Sequence, residues 1–316
     1  MVTVFVSDEV WDAVGDRLHA LDPAVERVPF VPGERVPPEA VERIEVAFLS
    51  MDLWPRSSAA YMRVCLDAPN LRWLHSGSAG VDNPVFRHLI DQGVRLTNSS
   101  GAAATAIAHH VTMCLLALRR DLPGFVRDQA EHAWRQRSLD DVEGTRLGMV
   151  GMGPIGLETA RLAAALGIEV IGMRRTVRGD EPCETWTLDR LHELLPTIDT
   201  VVLALPLTDT TRQLIGAAEL ALLPPGAHVV NVGRGELIDE PALVEALRRG
   251  HVGAAALDVT AVEPLPTDSP LWDMPNVIIT PHSSAGTASS RRRAQSYFAD
   301  EFARYVAGEP FERGVR

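Results

Sequence analysis

The chain has 316 residues, more than one hydrophobic core ordinarily supports, so two domains are expected. Hydrophobic residues make up 46% and charged residues 23%, the balance of an ordinary soluble globular protein. The net charge of −12 argues against non-specific nucleic-acid binding and against an anionic membrane as partner.

The amino terminus, MVTVFVSDEVW, lacks a basic leader, and Asp8 and Glu9 interrupt its apolar run. It reads as a first strand rather than a signal peptide. Short β-branched runs follow at 26–31, 44–50, 71–76 and 93–98, and a second series at 146–151, 168–173, 200–205, 227–233, 254–259 and 276–281. Such runs separated by helical stretches mean parallel sheets covered on both faces. Two longer helices are predicted at 102–120 and 287–307. The pattern predicts α/β architecture with two doubly wound parallel-sheet domains, the second inserted into the first. The boundaries are 1–98 with 287–316 for one domain and 99–286 for the other, and the cleft between domains is the expected ligand site. No run reaches the ~20 apolar residues needed to span a bilayer. The cysteines, Cys65, Cys114 and Cys183, show no CxxC spacing. That predicts reduced thiols in a cytoplasmic protein and no zinc site. The chain contains no lysine, which removes Schiff-base chemistry and the P-loop lysine. Any phosphate or carboxylate must be held by arginine, a helix amino terminus or backbone N–H groups.

After the run at 146–151 comes GMGPIG, residues 151–156, and then a helical pattern. This is GxGxxG in its required strand-to-helix setting. Gly151 makes the tight turn, Gly153 admits a pyrophosphate to the backbone, and Gly156 lets helix pack on strand. A dinucleotide cofactor is therefore expected. An NAD site ordinarily has an acid about twenty residues on, accepting from the ribose hydroxyl. Arg174 occupies that place, followed by Arg175 and Thr176. An acid would repel a 2′-phosphate and arginine forks would grip it. NADP(H) is the expected cofactor, with NAD(H) possible and Arg178 a weaker contributor; surface arginines without a ligand are the alternative.

Three later strand ends carry the chemistry. Arg234 lies in NVGRGELID, Asp258 and Glu263 in ALDVTAVEP, and His282 in NVIITPHSS. Ligands of open parallel sheets bind at such carboxyl ends. Reducing a carbonyl needs a proton donor, and histidine titrates near neutrality. Glu263 would orient the ring and favour its protonated form. Arg234 would hold a carboxylate and polarise the neighbouring carbonyl.

With these motifs assembled, the chain resembles the D-2-hydroxyacid dehydrogenase family from end to end. GMGPIG, the PLT at 206–208, NVGRGELID, LDV followed by Glu263-Pro264, and TPH at 280–282 carry the resemblance. It implies a Rossmann cofactor domain inserted into a flavodoxin-like substrate domain, with Arg234, Glu263 and His282 as the catalytic set. It implies cofactor contacts from Gly151, Gly153, Pro154, Ile155, Gly156, Arg174, Arg175, Thr176, Pro206, Thr211, Val232 and Asp258. The loop SGSAGVD at 76–82 resembles the family's substrate loop, in which Ser78, Ala79 and Gly80 would grip the carboxylate of a small 2-ketoacid with Arg234 and His282. The arginine-bearing strand end is like the NADPH-using glyoxylate/hydroxypyruvate reductase branch. Trp134 lies in the segment that the resemblance assigns to a homodimer interface. The alternatives are a nucleotide-sensing or corepressor module with little catalysis and a formate-dehydrogenase-like activity.

Some residues have two readings. Ala108-His109 stands where the family often has Ala-Glu, so His109 and His110 either face the cofactor or satisfy bonds on a packed helix. Trp54 either walls a pocket or simply packs. The run Arg291–Arg293 reads as a solvated helix face.

Overall fold

The computed structural model describes residues 1–315. The chain divides into two compact units, Met1–Ala103 together with the stretch from Gly286 onward, and Ala104–Ala285. Among the described residues no helix is long and apolar enough to cross a membrane.

The first unit holds β1 (Thr3–Ser7), β2 (Glu26–Phe30), β3 (Val46–Leu49), β4 (Trp73–Ser76) and β5 (Arg95–Asn98), all parallel, in the order β2-β1-β3-β4-β5. Every residue of β1 is buried, as a strand covered on both faces requires. The chain leaves β1 through Ser7, whose hydroxyl accepts from the Val10 N–H and caps the helix Asp8–Leu21. On one face the Phe5 and Tyr61 rings stack at 4.4 Å, and the Tyr61 hydroxyl donates to the Phe5 carbonyl at 2.6 Å. On the other, Phe298 of the helix Ala288–Ala307 stacks on Phe48 and Trp73. Burying such rings removes large apolar areas from water and anchors the carboxyl-terminal helix. Arg291 and Arg292 are exposed, but Arg293 is not part of a solvated face. It is half-buried, and its Nε donates to the Ala102 carbonyl at 2.6 Å.

The second unit holds β6 (Arg146–Val150), β7 (Glu169–Arg174), β8 (Glu184–Thr187), β9 (Thr200–Leu203), β10 (Ala227–Asn231), β11 (Val252–Leu257) and β12 (Val277–Ile279). They form one parallel sheet ordered β12-β11-β10-β9-β6-β7-β8. Two parallel-sheet α/β folds are what the sequence pattern predicts. β8 is not among the runs read above: it is four residues long, starts on an exposed glutamate and is nowhere fully buried, so it carries no apolar signature. The order reverses direction between β6 and β9, and Val150 registers with both Met173 and Leu203. The GMGPIG turn thus leaves the sheet at its switch point, where ligands of such sheets bind.

Candidate active site

Glycines decide how the edge of the second sheet is built. Gly151 has φ +112°, and a Cβ there would stand 2.7 Å from the Ala204 carbonyl oxygen. A Cβ on Gly156 would stand 2.0 Å from the Gly151 oxygen, so both positions need glycine for the turn to close. Gly153 differs: its Cβ position meets nothing within 4 Å. The helix Pro154–Ala165 begins directly after it, leaving an open backbone face beside a twelve-residue helix amino terminus. That is a cradle for a pyrophosphate, so the residues present fit a dinucleotide. Pro154 and Ile155 form its first helical residues.

The turn after β9 is organised by Thr211, which is buried. Its hydroxyl donates to the Pro206 carbonyl and accepts from the Thr208 N–H, both at 2.8 Å. Thr211 therefore shapes the loop. Val232, also buried, follows β10.

Three segments converge around His282 and Glu263. Gly235 lies so close to the 260 loop that a Cβ would fall 1.9 Å from the Thr260 carbonyl carbon. This approach brings Arg234 to the segment carrying Glu263. Glu263 Oε1 accepts from the Thr260 N–H at 3.2 Å, and Oε2 is 2.7 Å from Nδ1 of His282. The Glu263 bond raises the His282 pKa above its ordinary value against burial, with the Glu263 charge assisting and that of Arg234 opposing. Burial pushes the Glu263 carboxyl up, but His282, the Thr260 N–H and Arg234 outweigh it and hold the group below the usual range. The two shifts agree in direction: each partner favours the charged form of the other. Both side chains remain roughly 40% open to solvent, at 40% for His282 and 37% for Glu263, so the ring can reach a ligand while the carboxylate fixes its other nitrogen.

His282 also adopts a left-handed backbone, with φ +49°, a conformation uncommon outside glycine but enriched in histidine. Asp258 holds it there. The Asp258 carbonyl accepts from the His282 N–H at 2.8 Å, and its Oδ1 accepts from the Thr280 hydroxyl at 2.6 Å and the Ser283 N–H at 2.9 Å. Burial pushes the Asp258 carboxyl up, while Ser284, Thr280 and Ser283 more than offset it and keep the pKa low. Asp258 thus braces the turn that carries His282, a role the sequence did not disclose. His110 Nε2 lies 3.3 Å from the Thr280 hydroxyl, the local bond of a packed helix, and His109 is exposed.

At the end of β7, Arg174 does not stand free. Its Nη1 donates to Glu181 Oε1 at 2.6 Å. Arg175 and Thr176 are exposed. Sequence reasoning missed Glu181 altogether; the RGDE turn that carries it was the available signal.

In the first unit, the 76–80 loop leaves β4. Ser78 donates its hydroxyl to the Gly80 carbonyl at 2.9 Å, and Asn98 donates to the Ala79 carbonyl at 2.9 Å. The carbonyls are tied down from behind, which leaves the loop shaped by its own bonds. Trp54 is 58% exposed and Trp134 is 93% exposed, so neither is a packing residue within this chain.

Comparison with known proteins identifies the family. Residues 112–284 match the model of the D-isomer specific 2-hydroxyacid dehydrogenase NAD-binding domain. The chain is 36% identical over 258 residues to a putative 2-hydroxyacid dehydrogenase of Haemophilus influenzae, covering 77% of this chain and 79% of that protein. The chain belongs to the D-isomer specific 2-hydroxyacid dehydrogenase family. A family member from Xanthobacter autotrophicus Py2, solved with NADPH and MES, superposes with a TM-score of 0.79 at 33% identity, covering 100% of this chain and 98% of that one. An NADPH-dependent glyoxylate/hydroxypyruvate reductase from Sinorhizobium meliloti, solved with NADP and sulfate, has a TM-score of 0.79 at 30% identity, covering 99% and 97%. The chain also matches the D-3-phosphoglycerate dehydrogenase of Methanocaldococcus jannaschii, 33% identical over 78% of this chain, but spans only 48% of that longer relative. As a member of this family the protein is an oxidoreductase with an NAD(P)-binding domain.

Proposed function

We propose that this dehydrogenase reduces a small 2-ketoacid to the D-2-hydroxyacid, using NADPH in preference to NADH. The observation that carries this reading is the 2.7 Å contact between Nδ1 of His282 and Glu263, on the sheet edge that also presents the open Gly153 backbone.

When bound, the dihydronicotinamide supplies a hydride to the keto carbon. His282, held as an imidazolium, donates its Nε2 proton to the carbonyl oxygen as negative charge develops there. Glu263 on Nδ1 fixes the ring's orientation and stabilises the charged form. Such a placed acid contributes about 10²–10⁴ in rate. Arg234 binds the substrate carboxylate and polarises the carbonyl. We assign Ser78, Ala79 and Gly80 as a carboxylate-binding loop through their N–H groups. The 151–156 turn and the helix start at Pro154 and Ile155 would hold the cofactor, Pro206, Thr211 and Val232 would form the neighbouring wall, and Asp258 would serve the nicotinamide side. The strand end at Arg174, Arg175 and Thr176 carries arginine where an NAD site has an acid, which supports NADPH. Structural relatives solved with NADPH or NADP support the same choice, although the wider family also uses NAD. A cytoplasmic location fits the unpaired thiols.

A homodimer is also proposed. Phe125, Val126 and Trp134 expose apolar area around a groove of about 940 Å³ in the 125–138 segment, and such a patch calls for a covering surface. Sedimentation of the protein should give twice the chain mass.

The direct test follows NADPH oxidation optically with glyoxylate, hydroxypyruvate, pyruvate and phenylpyruvate. Turnover of at least one is expected. Tight nucleotide binding with no turnover across the panel would instead favour a nucleotide-sensing module.

A further inference from the structure

The turn that follows β7 is closed on itself by one carboxylate. Glu181 Oε1 accepts from Arg174 Nη1 at 2.6 Å and from the Arg178 N–H at 2.9 Å, and Oε2 accepts from the Gly179 N–H at 2.8 Å. Its side chain is 2% exposed and that of Arg174 only 16%. Successive N–H groups at a turn make a small anion-binding concavity, and here an internal carboxylate fills it. Bonding from the Arg178 N–H, with Arg174 and the Gly179 N–H assisting against burial, keeps that carboxyl down at about 2, so it is charged whenever the protein is folded at ordinary pH. Two consequences follow for an incoming phosphate. The backbone N–H groups of 178 and 179 are already occupied. Arg174 faces a compensating charge and is held by it. Arg175, next along the chain, is exposed and has no hydrogen-bond or ion-pair partner among the described residues.

We propose that Glu181 is a specificity-positioning residue: by closing the 174–181 turn onto Arg174 it withdraws that arginine from phosphate binding and leaves Arg175 to distinguish a 2′-phosphate from a 2′-hydroxyl. This rests on the NADP(H) reading above and reassigns work within it. Adjacent arginines then act differently. Arg174 shapes the loop for any adenine ribose, and Arg175 supplies the charge-assisted bond that only a phosphate can accept.

The test is calorimetric binding of two probes, 2′,5′-ADP and 5′-AMP, to the whole protein without other ligand. The unaltered protein should bind 2′,5′-ADP at least about tenfold more tightly, the scale of one charge-assisted contact. Arg175→Ala should lower that ratio about tenfold while 5′-AMP binding stays within about twofold. Arg174→Ala should weaken both probes by a similar factor and leave the ratio within about threefold, whereas Glu181→Gln, which releases Arg174 and removes a competing negative charge, should raise the ratio. Should Arg174→Ala impair folding, Arg174→Lys keeps a cation beside Glu181 and is expected to hold the ratio. The assignment is overturned if Arg174→Lys or Arg178→Ala erases the preference while Arg175→Ala leaves it. A ratio near one in the unaltered protein defeats the NADP(H) reading itself, a result separate from any pattern among the variants.

Discussion

Two histidines at the carboxyl ends of parallel strands have opposite fates. His75, on β4 of the first unit, is fully buried, with Nδ1 2.6 Å from the Thr97 hydroxyl, Nε2 2.9 Å from the Ser99 hydroxyl, and the Phe48 ring edge-on at 5.0 Å. Burial, with a smaller push from the Arg313 charge, drives its pKa down to about 3. His282, in the second unit, keeps part of its ring in solvent, takes a carboxylate on Nδ1 and has its pKa raised. The same imidazole is neutral scaffolding in one place and, in the proposed reaction, a proton donor in the other. Burial and partner separate them: His75 is enclosed among neutral groups, which disfavours its charged form, and at His282 a carboxylate outweighs burial and stabilises the charged form.

The sharpest way to break this contrast is His282→Asn, which suits the backbone but carries no titrating proton. Turnover should fall by about 10²–10⁴, with the thermal midpoint and the dissociation constant for NADPH little changed. Retained turnover would remove the proton-donor role.

The complementary change, His75→Leu, should act on stability alone. It removes the ring partner of the Ser99 hydroxyl and of the Thr97 hydroxyl, which keeps its bond from Trp73 Nε1, and is expected to cost about 2–4 kcal/mol in denaturant unfolding, while the pH profile of turnover keeps its position. The pH dependence of stability should change as well. An unfolded histidine takes its proton near 6.5, and His75 resists it down to about 3. Its contribution is therefore intact above about 6.5 and is lost progressively as pH falls toward 3. His75→Leu should flatten that acid loss. An unchanged slope would show that other groups govern it.

The mildest perturbation is Glu263→Gln. In the proposed reduction His282 must be protonated, so turnover should persist below the His282 pKa and fall as pH rises through it. Because Glu263 raises that pKa, the substitution should move the alkaline fall to lower pH and reduce the plateau by about tenfold or less. A fall that stays in place would mean the carboxylate does not set the ring's charge.

Much of this architecture was written in the chain. Strands buried on both faces read as apolar runs, so β1, β6 and β10 stand out. Polar residues collected at the carboxyl ends of β10, β11 and β12 single out Arg234, Glu263 and His282 as candidates. β8 leaves no such trace, since an edge strand needs only one good neighbour and half-buried residues suffice. Asp258 and Glu181 were harder still. One braces a turn through bonds to Thr280 and Ser283, across more than twenty residues, and the other folds back seven residues onto Arg174. An acidic letter looks the same whether it meets water, a cofactor or the chain's own N–H groups, and only the closed turn tells which. The His75 network was likewise illegible, because its partners Thr97 and Ser99 lie on the neighbouring strand's end, more than twenty residues along the chain.

The twist at position 282 narrows the range of workable residues before any reaction is considered. At φ +49°, glycine, asparagine, aspartate and histidine are the side chains most at ease. Of those four, one alone exchanges a proton near neutral pH. Geometry and acidity thus converge on a single amino acid, and an engineer seeking a different acid at this spot would have to rebuild the turn first.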